Sequence, residues 1–434
     1  GCLEMYNNKT IRLFFILSAI ISFVENIIYF FVRCNDLSLF ANLTIATVDY
    51  YYFWGVGRFI NLGHISDLTN FELYKNFLQH NINNKMDTSY WAYPPTINFL
   101  ICFIALFPYF IGYIIWNFIG LSLFYSACKK YTKNDFNLIC ILLTSPFLLI
   151  AFHYGQTSII IASLIMLGLY FNKFNSKKIN FQYDHSMLSG LLFGLSTIKY
   201  PFVLLIPIYL LLTKSYKTLF YMILTSIIMI VLSVICFGLQ AWSDYFNILA
   251  PWMMHDLKTS SNIVAISPLG VMHTENMQWN IAWFFQIIIM IASIIILFIC
   301  NIKKYFINKI EQDIFLLSMI LYVTPYAHIY DMVILSFPLL YTLHKAYILN
   351  KKIYVYILSF MWLFFTFIDW GKILYATSKN MNFFTKCVIH NCTVNLLLML
   401  FLTLTIFLLR DHKDKTLLEK NIIEVFKRIK LRIL

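Results

Sequence analysis

The chain has 434 residues, of which 60% are hydrophobic and 12% are charged, and its formal net charge is +13. A soluble domain carries about a quarter of charged residues, so this composition excludes a protein whose surface lies mainly in water. The excess of Lys and Arg does not indicate nucleic-acid binding, because these residues lie in short loops between apolar runs, where they act as orientation signals. We therefore predict an all-α, polytopic membrane protein.

Apolar runs recur along the whole chain, and most are near the length needed to cross a hydrocarbon layer of about 30 Å. The candidate runs are 11–32, 94–108, 110–128, 136–152, 156–172, 187–199, 201–213, 218–238, 280–301, 314–326, 332–346, 352–369 and 392–409. The first run is too long for the apolar core of a typical signal peptide and lacks a small-residue exit site. We expect it to remain as an anchor.

The charges between the runs predict the orientation. Five short loops each carry two or three Lys: 129–133, 173–178, 214–217, 303–309 and 345–352. By the positive-inside rule these loops are cytoplasmic, together with the N-terminus and the basic tail 411–434. Thirteen crossings cannot place both ends on one side. The run between Pro94 and Pro108 is the weakest, because it is under the ~17 residues needed to span. We interpret it as a helix at the outer interface, which leaves about 12 spans in a single transmembrane domain, 1–410.

Two long outer loops, 33–109 and 239–279, supply most of the polar sequence outside the spans. The short runs 187–199 and 201–213 are separated by Lys199-Tyr200-Pro201, and proline cannot donate to the preceding turn. We therefore expect a tight helical hairpin with Lys199 at its outer turn. No CxxC pair occurs among the nine Cys, so neither a zinc site nor a disulfide scaffold is indicated. Cys387 and Cys392 share one loop and are candidates for pairing.

Several polar residues have two interpretations each. Asp49 precedes a run of aromatic residues near the membrane surface, where partial desolvation suits a general base; alternatively it is a helix N-cap. Lys199 is either a point charge for a lipid-linked phosphate or a side chain that reaches the interface. His153 and the pair His328 and Asp331 are polar turns or metal ligands, although nothing resembles HExxH.

Glu25 and Asn26 lie inside the first run, where charged groups are costly and tend to be functional; alternatively Glu25 reaches only the outer headgroups. No Gly-rich phosphate loop and no nucleotide-binding motif is visible. The donor of any group transfer is therefore expected to be lipid-linked.

An ordered set of motifs resembles the multispanning glycosyltransferases of the GT-C fold, specifically glycosyltransferase family 87. The family holds bacterial transferases that use polyprenyl-phosphate-mannose and related donors. The motifs are Asp49-Tyr50-Tyr51-Tyr52-Phe53-Trp54-Gly55-Val56-Gly57-Arg58, Tyr93-Pro94-Pro95, Gly155-Gln156, Gly190-Leu191-Leu192-Phe193-Gly194-Leu195, Lys199-Tyr200-Pro201, Thr324-Pro325-Tyr326 and Tyr330-Asp331. Their order and separation run as in the family over about residues 45–335.

The resemblance implies that Asp49 is the base of an inverting transfer from a lipid-phosphate sugar. It implies donor-binding roles for Lys199, Arg58 and His328. Residues expected to line the pocket are Tyr52, Tyr93, His153, Gln156, Tyr330 and Asp331. No cofactor is implied, and a divalent metal is possible but not indicated. The expected partners are a polyprenyl-phosphate-sugar donor, a glycolipid or glycan acceptor and membrane lipids, with no nucleic acid.

The leading hypothesis is therefore a glycosyltransferase, with mannose as the first candidate sugar, at the periplasmic face of a bacterial inner membrane. It requires that Asp49 and Lys199 converge at one rim of the bundle. The alternative is a transporter or lipid-linked sugar flippase, in which Glu25, Lys199 and Asp331 would be charges along the pathway. Many transporters have two related halves, whereas the long loop 33–109 has no counterpart in the second half. A structural partner in an envelope-assembly complex is a third hypothesis.

Overall fold

The computed structural model describes residues 8–33, 49–82, 91–172, 185–259, 265–274, 277–306, 308–366 and 381–410. Within these ranges the chain is helical and has no strand; the one extended pairing found there is an isolated antiparallel bridge between Ala265 and His328. The predicted all-α fold is confirmed. The predicted tail 411–434, the loop 173–178 and much of the loop 370–391 lie outside the described residues.

The helices are numbered in chain order. In the first half they are α1 Lys9–Arg33, α2 Tyr50–Asn61, α3 Phe71–Asn81, α4 Asn98–Ile104, α5 Tyr109–Tyr131, α6 Phe136–Leu143, α7 Pro146–Tyr154, α8 Ser158–Asn172, α9 Ser186–Ser196 and α10 Leu205–Leu212. In the second half they are α11 Tyr216–Phe237, α12 Leu239–Asp244, α13 Ala250–Thr259, α14 Pro268–Thr274, α15 Trp279–Ile302, α16 Lys309–Val323, α17 Ser336–Ile348, α18 Lys352–Thr366 and α19 Met381–Leu408. Short 3₁₀ turns connect several of them: Ile65–Thr69, Pro95–Ile97, Thr197–Val203 and Ile329–Leu335.

Four helices among the described residues are long and apolar enough to cross a membrane: Lys9–Ile28 of α1, α5, α11 and α15. The bent pairs α6–α7 and α9–α10 raise the number to six if each pair is one span. Further apolar helices of 10–17 residues are shorter than a full crossing. The chain is therefore a membrane protein, whereas the twelve-span count stays a prediction.

Proline determines where the apolar helices break. Lys199 has the non-helical angles φ −122° and ψ 64°, so the helix is interrupted at the Lys199-Tyr200-Pro201 break that the sequence predicts. Just beyond it, the segment Ser186–Val203 meets Leu205–Leu212 at 113°. The run 136–152 was expected to be one helix, but it bends by 45° before Pro146. There Ser145 caps α7 by accepting a hydrogen bond from the backbone N–H of Leu148.

The region between Pro94 and Pro108 contains only a 3₁₀ turn and the seven-residue α4, so it is too short to span, as expected. It packs closely on α2 at Gly57, where an added Cβ would lie 2.2 Å from the carbonyl oxygen of Ile101. Only glycine permits this approach. Farther along, α19 begins at Met381, which is inside the predicted loop 370–391. The helix therefore starts before the apolar run 392–409. Cys387 and Cys392 therefore belong to a helix and not to a loop.

The central helices are α8 and α16, which are buried over almost their whole length. Both join the same two ends of the bundle. At one end α8 begins at Ser158 and α16 leads into the turn before Asp331, and these two side chains bond each other. At the other end the side chain of Asn172 bonds Ser215 and Thr218, beside a Lys-rich loop. We call these ends the site end and the basic end.

At the basic end, four helices end with the same backbone geometry. In four Lys-rich loops the last helical turn closes with a residue in the left-handed region: Lys133, Lys214, Lys304 and Asn350, with φ between 49° and 57°. The backbone N–H of the following residue bonds the carbonyl five positions earlier, as Ser215 does to Leu210 at 2.8 Å. This is the Schellman arrangement, in which glycine is usual.

Candidate functional site

Five segments meet at the site end and form a buried polar cluster. They are the start of α2, the extended residues before α4, the turn between α7 and α8, the 3₁₀ turn Thr197–Val203 and the 3₁₀ turn Ile329–Leu335. Each segment is a break or a helix end, where backbone groups and side chains are not used up by a regular helix. The polar cluster is therefore formed by helix ends and turns and not by the long helices.

Asp49 is held by the turn between α7 and α8. Its backbone N–H donates to the carbonyl of Tyr154 at 3.0 Å, and its carboxylate accepts a hydrogen bond from the Gln156 amide at 2.7 Å. Although Asp49 occupies the N-cap position of α2, its side chain makes no capping hydrogen bond. Asp49 is therefore the N-cap of α2 by position, as the second interpretation predicts, but its side chain does not cap the helix. Its carboxylate points into the cluster.

Gln156 connects Asp49 to Tyr93. The turn that carries Gln156 is possible because Gly155 ends α7 with φ 64°. The Tyr93 hydroxyl donates to the side-chain oxygen of Gln156 at 3.1 Å and lies 3.1 Å from the Thr157 hydroxyl. Burial is the main reason that the pKa of Tyr93 is raised, so this phenol stays a proton donor.

Asp331 is the centre of the second half of the cluster. Its side chain is fully buried and accepts three hydrogen bonds: from the Ser158 hydroxyl at 2.5 Å, from Lys199 Nζ at 2.6 Å and from the backbone N–H of His328 at 2.9 Å. A buried carboxylate needs such partners, because its desolvation is otherwise very costly. Asp331 therefore fixes the position of Lys199 and the shape of the turn at His328.

Lys199 lies between the two halves. Its ammonium bonds Asp331, lies 3.4 Å from the Ser158 hydroxyl, and sits over the rings of Phe202 and Tyr330 at 4.6 and 5.3 Å from their centroids. It also interacts electrostatically with Asp49 and Tyr93. The structure thus brings Asp49 and Lys199 into one cluster, whereas their roles stay predictions.

His328 and Tyr330 form one wall. Their rings stack at 5.2 Å with an interplanar angle of 10°, and Nδ1 of His328 bonds the carbonyl of Tyr326 at 2.8 Å. Burial lowers the pKa of His328 below its usual value, and Lys199 acts in the same direction, against the opposing effect of Asp331. The imidazole is therefore neutral at neutral pH.

Three further residues, Arg58, Tyr52 and His153, were predicted to belong to the site. Arg58 is nine residues along α2 from Asp49, which places it about 13 Å away and roughly 180° around the helix. The Tyr52 ring lies against the Tyr51 ring, with centroids 4.0 Å apart and planes tilted by 32°. Tyr52 also interacts electrostatically with Tyr74 of α3. His153 is buried in the last turn of α7, edge-on to Tyr154 at 5.7 Å. The structure does not bring Arg58 into the cluster.

Sequence reasoning missed Thr157 and Ser158, which contribute hydroxyls to the two halves of the cluster. Both directly follow the Gly155-Gln156 motif and begin a helix. A signal was therefore present: consecutive hydroxyl residues after a helix-ending glycine place polar groups at one turn. The pairing of Lys199 with Asp331, 132 positions apart, has no local sequence signal.

The fold and the cluster first define a class: a helical membrane protein with a carboxylate-containing polar site where its broken helices meet. The model of glycosyltransferase family 87 matches residues 91–304 of the chain. This match confirms the predicted resemblance, and the chain is a glycosyltransferase. The matched range includes Tyr93, Gln156 and Lys199, whereas Asp49 and Asp331 lie outside it. Neither a curated protein nor a solved structure matches the chain.

Proposed function

We propose that this enzyme transfers a sugar, with mannose as the first candidate, from a polyprenyl-phosphate donor to a lipid or glycan acceptor. The observation that carries the proposal is the pairing of the Asp49 carboxylate with the Gln156 amide at 2.7 Å, in the cluster that also holds the Lys199 ammonium. A transferase of this kind needs a base for the acceptor hydroxyl and a cation for the donor phosphate. Asp49 and Lys199 are those two groups.

In the proposed reaction the acceptor oxygen attacks the anomeric carbon of the donor from the face opposite the phosphate. The new carbon–oxygen bond forms as the bond to the phosphate oxygen breaks, and the phosphate leaves with that electron pair. Asp49 takes the proton of the acceptor hydroxyl and later releases it to water. No acid is needed, because a phosphate is a good leaving group. The product is a glycoside of inverted configuration and a polyprenyl phosphate.

Lys199 would contact the leaving phosphate. An ammonium has three N–H donors, and the hydrogen bonds above direct two of them to Asp331 and Ser158. The third donor can bind a phosphate oxygen without breaking the buried ion pair. Asp331 then acts as a positioning residue, since it holds the ammonium in place.

The proposed orientation has the site facing the periplasm of a bacterial inner membrane, with both termini in the cytoplasm. Its support is the separation of the two ends of the bundle: α8 runs from the site end at Ser158 to the basic end at Asn172. Because Lys-rich loops are retained inside, the site end is outside. A lipid-phosphate sugar presented at the outer surface would therefore meet Asp49.

The test uses the purified full-length chain in lipid nanodiscs, with polyprenyl-phosphate-mannose and a mannosylated glycolipid acceptor. Asp49→Asn should lower donor turnover at least about 100-fold, since it removes the base. Asp67→Asn is the matched control, because Asp67 is an exposed carboxylate in the same loop that pairs with His64. A wild type that consumes no donor, or Asp49→Asn with full turnover, contradicts the proposal.

The transporter or flippase alternative is disfavoured by the match to a glycosyltransferase family. It also assigns Lys199 and Asp331 to a pathway, where charges must be exchangeable with a passing substrate. In the structure Asp331 is 1% exposed and saturated by three donors. This is the arrangement of a fixed support.

A further inference from the structure

Three cations lie near one another at the basic end, where α15 and α19 finish. Lys303 and Lys304 directly follow α15, and Arg410 comes two residues after the end of α19. The guanidinium carbon of Arg410 lies 5.0 Å from the centre of the Tyr305 ring, and Nζ of Lys303 lies 6.0 Å from the same point. The two charges are therefore no more than about 11 Å apart. We call the three cations and Tyr305 the Arg410 cluster.

Aromatic packing holds the guanidinium of Arg410 in place. It lies 4.0 Å from the centre of the Phe407 ring, and its Nη1 donates a hydrogen bond to the Phe407 carbonyl at 2.7 Å. The rings of Tyr305 and Phe407 meet edge-on, with centroids 5.5 Å apart. Phe407 and Phe306 both lie against Phe315 of the buried helix α16. The arginine is thus part of the packed surface where three helices meet.

No carboxylate neutralises the Arg410 cluster within the part of the chain that the structure describes. The buried carboxylates of α16, Asp313 and Glu311, pair with other lysines of the basic end. The three cations of the cluster are in none of the ion pairs formed between described residues. Like charges so close together create a positive potential, which attracts an anion.

The donors of the cluster suit a phosphate group. A guanidinium has five N–H groups in a planar fork, of which the Phe407 carbonyl uses one. This fork matches phosphate oxygens, and an ammonium adds a point charge. Lys303 is exposed at the end of its helix, so its long side chain can close the distance to a phosphate held by Arg410.

The apolar surface beside the cluster indicates that the phosphate belongs to a lipid. On α15, Ile295, Phe298 and Ile302 are exposed at a spacing of three and four residues, so they share a face that leads to the cations. On α19, Leu404 and Leu408 are exposed and lead to Arg410. Acyl chains can cover these two faces while the headgroup contacts the cations, as in the basic sites that anionic lipids occupy between membrane helices.

We propose that the Arg410 cluster binds an anionic phospholipid of the phosphatidylglycerol type. Its phosphate contacts Arg410 and Lys303, and its acyl chains lie along α15 and α19. A zwitterionic lipid binds more weakly, because its own ammonium group repels the three cations. The site is at the end of the bundle opposite Asp49 and Lys199, and the inference does not depend on the proposed function.

The experiment is thermal unfolding of the purified full-length chain in a neutral detergent, with added dioleoylphosphatidylglycerol, dioleoylphosphatidylcholine or sodium phosphate. A ligand that binds only the folded chain raises the melting temperature. Phosphatidylglycerol should raise that of the wild type by about 2 °C or more, and the other two additives by less than half as much. Lys303→Gln and Arg410→Gln should each at least halve the shift. Lys129→Gln is the matched control and should keep it, since it removes an exposed cation from the last turn of α5.

Lys303 is exposed, so its variant tests the site even if Arg410→Gln does not fold. The proposal is overturned if phosphatidylglycerol gives no shift in the wild type, or if either folded variant keeps the full shift. An equal loss in Lys129→Gln would also overturn it, because the lipid would then be attracted by the whole basic end. An equal shift with phosphatidylcholine or with sodium phosphate would exclude a site that recognises an anionic lipid.

Discussion

At the scale of single residues, the site depends on positioning more than on the number of charged groups. Gln156 is the clearest example, because its amide group bonds Asp49 with the nitrogen and Tyr93 with the oxygen. An amide side chain can satisfy both neighbours at once, since it has a donor end and an acceptor end. A carboxylate or an ammonium at this position could not.

Gln156→Leu should therefore lower kcat by about 10-fold or more, with smaller changes in KM, because the base is still present but is no longer oriented. Steady-state transfer from polyprenyl-phosphate-mannose measures both constants. Gln312→Leu is the control, since Gln312 lies at the basic end and bonds the Phe306 carbonyl. Equal losses of kcat in the two variants would show that Gln156 has only a structural role.

A second prediction at this scale concerns the ion pair between Lys199 and Asp331. Lys199→Met should leave a buried carboxylate without its cation and lower the free energy of unfolding by about 3 kcal/mol or more. Asp331→Asn should be destabilising for the corresponding reason. In the double variant neither charge remains, so much of the stability should return, while activity stays low.

Thermal unfolding of the four proteins in nanodiscs measures this coupling. Losses in melting temperature that simply add in the double variant would contradict the interpretation, because coupled partners are not additive. The activity assay separates the structural role of Lys199 from its role in donor binding. Removing both charges restores stability, but transfer stays low because the donor phosphate still requires the ammonium.

At the scale of helices, close contacts through glycine hold α9 against α11. Gly190 and Gly194 of α9 face α11, and an added Cβ at Gly190 would lie 2.7 Å from the carbonyl oxygen of Thr218 and 2.4 Å from Cβ of Tyr221. Small residues four apart permit this kind of helix approach in membranes. Because α9 leads directly to Lys199, its packing also sets the position of the ammonium.

Gly190→Ala should destabilise the protein by about 1–3 kcal/mol, since the backbone of α11 must move. Gly120→Ala is the matched control in another membrane helix, because its added Cβ would meet the nearest atom at 3.4 Å, an ordinary contact. Melting temperatures of both variants decide the outcome. A loss in Gly120→Ala as large as that in Gly190→Ala would contradict the role given to this contact.

The sequence predicted the helices better than it predicted their bends. Hydrophobic runs indicate helices because apolar surface must face lipid, and the break at Pro201 followed from the missing N–H of proline. The bend before Pro146 was not predicted, because proline is also tolerated inside membrane helices. The π-helical turn at Tyr245–Leu249 has no comparable residue signal and depends on packing.

At the scale of the whole molecule, the two ends differ in chemistry. The basic end has buried ion pairs of its own: Lys309 bonds Asp313 and Tyr209, and Lys345 bonds Glu311. These pairs join α16 to its neighbours. The polar cluster with Asp49 and Lys199 lies at the opposite end.

The orientation predicts a labelling pattern. Asn76→Cys, in the first outer loop, should react with a membrane-impermeant maleimide in intact cells, whereas Lys133→Cys, at the basic end, should react only after the cells are opened. Labelling is measured above that of the unchanged chain, which has nine Cys of its own. The reverse pattern would place the site in the cytoplasm and contradict the use of a donor at the outer face.

Much of the site was predictable as a list of residues but not as an arrangement. Asp49, Lys199 and Asp331 are conspicuous in the sequence as charged groups between apolar runs, and the family resemblance added Gln156. Their partners were not identifiable, since these contacts join positions up to 173 residues apart, as between Ser158 and Asp331. Distance along the chain gives no information on which breaks face one another.

The left-handed residues at the basic end have a consequence for how the protein enters the membrane. Lys133, Lys214 and Lys304 each occupy a backbone conformation in which glycine would be more stable by about 1 kcal/mol. Glycine there would give a firmer folded state but remove a cation that tells the insertion machinery which loops to retain. Selection for heat resistance alone would thus tend to replace these three Lys by glycine and reduce the difference in charge between the two ends of the bundle.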